Sequence, residues 1–402
     1  MEVIQRMPTM RVDNPETKNP KAENSVQAMC GISKPVFQAA MAGLSGPDLV
    51  AAVSEAGGLG HLGALRVLPK TLRGWIHRTR SLTDKPFGVN LVPQFGGADF
   101  FEAALSIVLE ERPKVLSLFY GDFQDVIPRA KDAGIVTMVQ VGSLAEARKA
   151  VNDGADILIA QGIEAGGHVR GRVSLMALLP AVVDIAEGRP VIAAGAINDV
   201  RAAKAARCLG ASGVWCGTAF LASTECDAHD AYKDKLVQAD TDAPKFKTGY
   251  SYGWKYGTPH RAIDGKRGWN LLRLMGGGIR MIDNPKMADK LSLYAGQGVG
   301  QVRSIRSSAD IVEEMSEAFS GPSGGSGGVE PVTSSHKGRP ESSDELMHSI
   351  VQEHQFGVSE EILTQKFGRE LFQKAAAITG GGCLPILDDD RLSELQNRFK
   401  IF

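Results

Sequence analysis

The segment QGIEAGGHVRG (161–171) sets one histidine, His168, among glycines directly after an apolar run. Imidazole titrates near neutrality, which suits proton abstraction next to an electron-withdrawing group. Gly166 and Gly167 let the backbone approach a ligand closely, and Gly171 permits a further turn. The plainer alternative is a histidine that caps a turn. Display from a glycine-rich loop, rather than from an apolar face, weighs against it.

AAGAINDVRAAKAARCLGASGVWCGTAF (193–220) carries two more glycine turns, at Gly195 and at Gly217–Thr218. Each follows an apolar run, and a helix is expected to start after Asn198. Paired turns of this kind offer backbone N–H groups and a helix N-terminus to a phosphate. The competing reading is glycine needed only for turn geometry. PVFQAAMAG (35–43) ends in small residues that let a flat ring system lie against backbone atoms. Asn90 and Gln140 end other apolar runs and offer both donor and acceptor to a ring or a hydroxyl chain. An amide at a strand end equally well satisfies backbone groups. Gln297, between two glycines in YAGQGVGQ (294–301), is either a contact returned to a bound cofactor or a turn residue. Cys216 has no charged partner nearby in sequence, so it reads as packing beside the second turn rather than as a nucleophile.

These residues need a frame that brings loop ends together. Eight short apolar runs supply it: 36–41, 58–64, 87–92, 114–120, 135–141, 157–162, 190–195 and 213–218. Their near-continuous hydrophobicity predicts strands buried on both faces, as in a parallel sheet. Helical patterns lie between them, opened by Ser143 or Asn198 and closed at Gly57, Gly154 or Gly210. Eight strands alternating with helices predict a TIM (β/α)₈ barrel, the other candidate being an open doubly wound sheet. In a barrel, the loops after the last two strands commonly hold a phosphate.

The flanks differ in texture. Residues 1–29 read as a flexible lead-in; they lack an apolar signal region and contain Glu2, Asp13, Glu16 and Glu23. The barrel is expected over 30–320, with an insertion around 225–295 whose Tyr250, Tyr252, Trp254, Tyr256 and Trp269 either lid the site or pack outside it. A Gly/Ser/Pro-rich linker follows over 321–343, and then a small helix-rich appendage over 344–402, suited to self-association or a partner rather than to catalysis. Lys plus Arg (45) balances Asp plus Glu (46), which argues against bulk binding to nucleic acid or an anionic membrane. Five scattered cysteines without a CxxC pair predict neither a disulfide framework nor a metal site, and point to the cytoplasm.

In combination and in order, the segments over about 33–318 resemble the nitronate monooxygenase family, formerly the 2-nitropropane dioxygenases, and its relative the flavin-dependent enoyl-ACP reductase. PVFQAAMAG is similar to the family opening P-[IV]-x-Q-A-P-M-A-G; FGVNLV, EAGGH, the two phosphate turns, TPHRAI and AGQGVG follow. The resemblance implies FMN as cofactor and His168 as the active-site histidine. It implies FMN contacts at Ala39, Ala40, Met41, Asn90, Gln140, Gly166, Gly167, Gly195, Ala196, Gly217 and Thr218. Ala40 stands where the family usually has proline, and Ala196 where it usually has a second glycine. Each is small and keeps a backbone N–H. The implied reaction is oxidation of alkyl nitronates, or of nitroalkanes with His168 as base, by O₂ to a carbonyl product and nitrite. The alternatives are an NAD(P)H-dependent reductase of enoyl thioesters, and a flavin-binding scaffold whose C-terminal module recruits a partner.

Overall fold

All eight apolar runs form parallel strands. They are β1 (Val36–Gln38), β2 (His61–Gly63), β3 (Gly88–Leu91), β4 (Val115–Leu118), β5 (Val136–Val141), β6 (Ile157–Gln161), β8 (Val191–Ala194) and β9 (Gly213–Cys216). From β2 onward each pairs with the next in this order, and β9 returns to β1, with Phe37 opposite Trp215. The last seam, between β1 and β2, is held just ahead of β2. There Leu59 bridges Phe37, donating its N–H to the Val36 carbonyl at 2.9 Å and accepting from Gln38 at 3.0 Å. The sheet is a barrel, not an open sheet.

The structure, a computed structural model, describes residues 25–94, 96–248, 254, 257–264 and 292–320. The chain divides into two units, 1–325 and 326–402, and every described residue belongs to the first. The segment before Ser25, the expected linker and appendage, and Tyr250, Tyr252, Tyr256 and Trp269 of the expected lid lie outside the described residues.

Helices follow the strands: α2 (Pro47–Glu55), α3 (Pro69–Leu82), α4 (Ala98–Glu111), α5 (Val126–Asp132), α6 (Leu144–Asn152), α7 (Leu175–Ile185), α8 (Val200–Cys208) and the short α9 (Thr218–Leu221). They are preceded by α1 (Val26–Cys30) and followed by α10 (Asp230–Val237) and α11 (Ser308–Ser316). The Ser143 hydroxyl caps α6 by accepting from Glu146, and the Glu146 carboxylate reaches back to the Gly142 N–H at 2.8 Å. The cap of α8 differs from the expectation at Asn198. Asp199 caps it, accepting from the Ala202 N–H at 3.0 Å, and Asn198 is thereby released for another task.

The barrel interior is filled by Phe37, Leu59, Val115, Met138, Ile157, Ile159, Ile192 and Trp215. Val26, Cys30 and Ile32 join the same cluster, so α1 and the residues after it plug one end of the barrel. A separate layer of Leu, Val and Ala binds the helices to the sheet. Apolar contact on both faces explains the uninterrupted hydrophobicity of the strands.

A second, small antiparallel sheet stands outside the barrel. In it β11 (His260–Ile263) pairs with β10 (Pro244–Lys247), with β12 (Leu293–Tyr294) and with β7 (Gly167–His168). Among the described residues no helix is long and apolar enough to cross a membrane.

Candidate active site

The barrel strands end at a cavity of about 680 Å³. Ala39, Ala40, Met41, Asn90, Gln140, Gly166, Gly167, His168, Gly195, Ala196, Gly217 and Thr218 all line it. Gln297 does not. It opens a 3₁₀ turn (Gln297–Gln301), and its N–H donates to the Glu164 carbonyl at 2.9 Å. Ala295 and Gly296 form the wall in its place. Close packing explains this: a Cβ on Gly166 would lie 2.4 Å from the Gly296 nitrogen, so the two glycine segments meet backbone to backbone.

One end of the cavity gathers backbone N–H groups, the kind of group that pairs with an anion. Gly195 and Ala196 take left-handed backbone conformations, φ 123° and 53°, after β8. Among the described residues the N–H groups of Gly195, Ala196, Gly217 and Thr218 meet no protein acceptor. Asn198 sits between the two turns. Its Oδ1 accepts from the Ala219 N–H at 3.1 Å, tying the loop after β8 to the one after β9. Its Nδ2 is buried without a partner beside Gly298, and the residue lines both this cavity and a smaller one next to it. A buried amide N–H left unpaired is costly unless a ligand completes it. Asn198 was missed as a site residue because an Asn just ahead of a helix reads first as a cap.

The middle of the cavity offers polar groups of fixed sense. Asn90 donates from Nδ2 to the carbonyl and hydroxyl of Ser117, both at 3.1 Å. A carbonyl only accepts, so this amide orientation is set and Oδ1 is left as the acceptor. The thiol of Cys216 is pushed up to about 12 by full burial, as suits a packing residue.

His168 occupies the outer wall. Pairing of β7 with β11 sets its backbone opposite His260, so it is a strand residue rather than a free loop residue. Its ring stacks on Trp254 with centroids 3.8 Å apart, meets Tyr294 edge-on at 5.5 Å, and lies 5.8 Å from His260. Tyr294 is held in turn by Tyr232, whose hydroxyl donates to its carbonyl at 2.5 Å. The sequence left Trp254 open between lidding the site and packing outside it; the residue lines the cavity and stacks on His168. Nε2 of His168 is buried without a partner. Burial pushes the imidazole down to about 2, and the charges of His260 and then Arg66 act in the same sense. The ring is therefore neutral at ordinary pH. Among the described residues no Asp or Glu lines the cavity, and no cluster of His, Cys, Asp and Glu is suited to a metal.

A family model described as nitronate monooxygenase matches residues 23–104 and 92–267. A *Mycobacterium tuberculosis* protein named (3aS,4S,5R,7aS)-5-hydroxy-7a-methyl-1-oxo-octahydro-1H-indene-4-carboxyl-CoA dehydrogenase is 38% identical over 239 residues. That match covers 58% of this chain and 64% of the relative, so the chain spans under two thirds of that protein's length. The nitronate monooxygenase of *Paraburkholderia phytofirmans* is 38% identical over 255 residues, 52% of this chain and 69% of its own. Among solved structures, FabK from *Thermotoga maritima* superposes with a TM-score of 0.64 at 32% identity, covering 73% of this chain and 95% of FabK.

Proposed function

The chain belongs to the nitronate monooxygenase family of oxidoreductases, and from that premise we propose that it binds FMN and oxidises alkyl nitronates with O₂ to a carbonyl product and nitrite. The phosphate would be held by the N–H groups of Gly195, Ala196, Gly217 and Thr218, with Asn198 tying the two turns together. These N–H groups are left without protein acceptors among the described residues, which is the observation that fits the cofactor to the site. A single phosphate cradle, with no adenine-binding unit among the described residues, favours FMN over FAD. Asn90 Oδ1 would accept from the ring or its side chain, Gln140 would add a polar contact, and the small residues Ala39, Ala40 and Met41 would back the ring. Bound there, FMN supplies the capacity to take up electrons from substrate and pass them to oxygen.

The choice of nitronate over nitroalkane rests on one observation. His168 is neutral and buried under Trp254, in a wall without a carboxylate among the described residues. A base pushed down to about 2 is a weak acceptor for the proton of a neutral nitroalkane. A nitronate has already lost that proton. The unpartnered Nε2 then serves to hold a nitro oxygen, donating to it in the tautomer that carries the proton on Nε2, and the stack on Trp254 excludes water.

Oxygen uptake and nitrite release with propionate 3-nitronate, against the same protein offered 1-nitropropane, test this reading. Rapid bleaching of the flavin by NADPH without oxygen, together with no nitrite from any nitronate, would overturn it in favour of a reductase. The name of the *M. tuberculosis* relative raises a second reading, dehydrogenation of an acyl-CoA. That no carboxylate lines the cavity among the described residues weighs against it, because that chemistry needs a base for the proton beside the thioester.

A further inference from the structure

A second, smaller cavity of about 260 Å³ shares Asn198 with the first. Asn198 is 4% exposed, and because its Oδ1 accepts from the Ala219 N–H, its unpartnered Nδ2 can only donate. On the same cavity Gln301 presents Oε1, a buried acceptor that meets no donor. The two atoms converge: a Cβ on Gly298 would lie 2.5 Å from Nδ2 and 2.7 Å from Oε1. Glycine at that position keeps the space between them open. A buried donor and a buried acceptor left unpaired around one point are costly until a ligand with both properties completes them.

The charges on the wall set the sign of that ligand. Asp199 is engaged by Arg201 and by the Ala202 N–H, and Glu314 by Arg306 and by the Val200 N–H. Arg303 also lines the cavity and pairs with no carboxylate among the described residues. That guanidinium is in excess, which favours an anion. Sulfate offers acceptors alone and would set an oxygen against Gln301 Oε1. Inorganic phosphate near neutral pH keeps at least one O–H beside its charge, so it can donate to Oε1 while accepting from Nδ2 and Arg303.

We propose that this second cavity is an effector site for inorganic phosphate, and that its occupation slows release of the flavin. Bound phosphate holds Nδ2 of Asn198, and Oδ1 of the same side chain steadies Ala219, next to Thr218 in the turn after β9. By linkage, the phosphate must itself bind better when the flavin is present. The flavin half of this inference rests on the proposed function; the phosphate site does not.

The test uses the full chain with its flavin bound, so that the turns after β8 and β9 are already filled, and adds inorganic phosphate or sulfate. Calorimetry should show saturable phosphate binding, with sulfate at least roughly 10-fold weaker. Gln301→Met should weaken phosphate about 10- to 100-fold, the range of a lost hydrogen bond to a charged group, and bring it level with sulfate. Its melting temperature without phosphate should hold or rise, since an unpaired buried acceptor is gone. Arg303→Gln, on the exposed rim, should weaken both anions, and it serves if Gln301→Met does not fold. Flavin release, read as rising flavin fluorescence on dilution, should slow about 5-fold or more in phosphate and not in sulfate. Equal binding of phosphate and sulfate, unchanged affinity in both variants, or no saturable binding up to about 10 mM overturns the site. Phosphate binding without slower flavin release overturns the effector role. If the purified protein holds no flavin, the proposed function fails, and the contrast of phosphate, sulfate and Gln301→Met in the flavin-free chain still decides the site.

Discussion

Gln161 donates a hydrogen bond of 3.0 Å to the carbonyl of His168, so the last residue of β6 fixes where the imidazole's backbone stands. The same side chain accepts from the Arg170 N–H at 2.8 Å, gripping the loop on both sides of Val169. Gln161→Glu keeps the second contact and loses the first, whereas Gln161→Ala loses both. Turnover should fall about 10-fold in the first and further in the second, as misplacement near the chemistry does. Flavin content should stay near one per chain in both, read from the visible spectrum. A loss of flavin in proportion to activity would show Gln161 to be a cofactor residue instead.

His168→Ala should lower kcat/KM for nitronates about 10²-fold or more, the usual scale for a positioned group at the reacting centre. Flavin binding should survive. In the wild type, kcat/KM for a nitronate should show no inflection near pH 6.5, because the ring is already neutral on both sides of it. A pH profile that tracks a histidine titrating near its ordinary value would mean that His168 works protonated.

Acid should weaken the fold through His61. This ring is fully buried, packs 4.6 Å from Trp215, and is pushed down to about 3 by desolvation. Above pH 6.5 native and unfolded chains both carry it neutral. Below that, the unfolded chain binds the proton and the native chain does not, so stability is lost as pH falls from 6.5 toward 3. The loss at pH 5 comes to about 2 kcal/mol. Melting temperatures of the wild type and His61→Leu at pH 7.5 and 5.0 measure it. The variant should lose clearly less on acidification.

Gly171→Ala should unsettle the loop that carries His168. A Cβ there would lie 1.9 Å from the Gly142 carbonyl oxygen, and both partners are backbone. Neither side can yield without moving the loops after β5 and β6 apart. We expect a cost of about 1–3 kcal/mol, typical of overpacking, with activity falling more than flavin content. Denaturant unfolding alongside nitrite assays checks both.

Removal of everything after Phe319 should leave a yellow, active enzyme. The barrel unit is closed by α11 and the turn Glu317–Phe319, with Arg207 donating to the Ala318 carbonyl at 2.8 Å. Truncation before Ala318 would break that contact, and truncation after Phe319 spares it. Loss of flavin or turnover from a soluble, monodisperse Phe319-terminated protein would move the C-terminal segment into the active site.

The barrel was legible because each strand is buried on both faces and announces itself as a short apolar run ended by glycine or a polar residue. The glycine turns after β8 and β9 were legible through Gly195 and Gly217, glycine being the residue such tight turns favour. Ala196 kept the left-handed conformation without the glycine, which sequence alone does not reveal. The pairing of β7 with β11 joins short segments far apart in the chain, too brief to show any period. Asn198 and Asp199 are both good capping types side by side, and only the start of α8 at Val200 decides between them.

The placement of β11 bears on how the protein is made. Every barrel strand has ended by Cys216 and both glycine turns by Thr218, so a chain that has left the ribosome that far has all it needs to close the barrel and shape the two turns. Its histidine strand still has no partner. Only when Ile263 has followed does β7 gain an edge to pair with, and only with Tyr294 does that neighbour arrive. On the proposed function, birth order would separate cofactor capture from competence. A half-made or clipped chain would hold a flavin before it has a finished chamber in which to use oxygen.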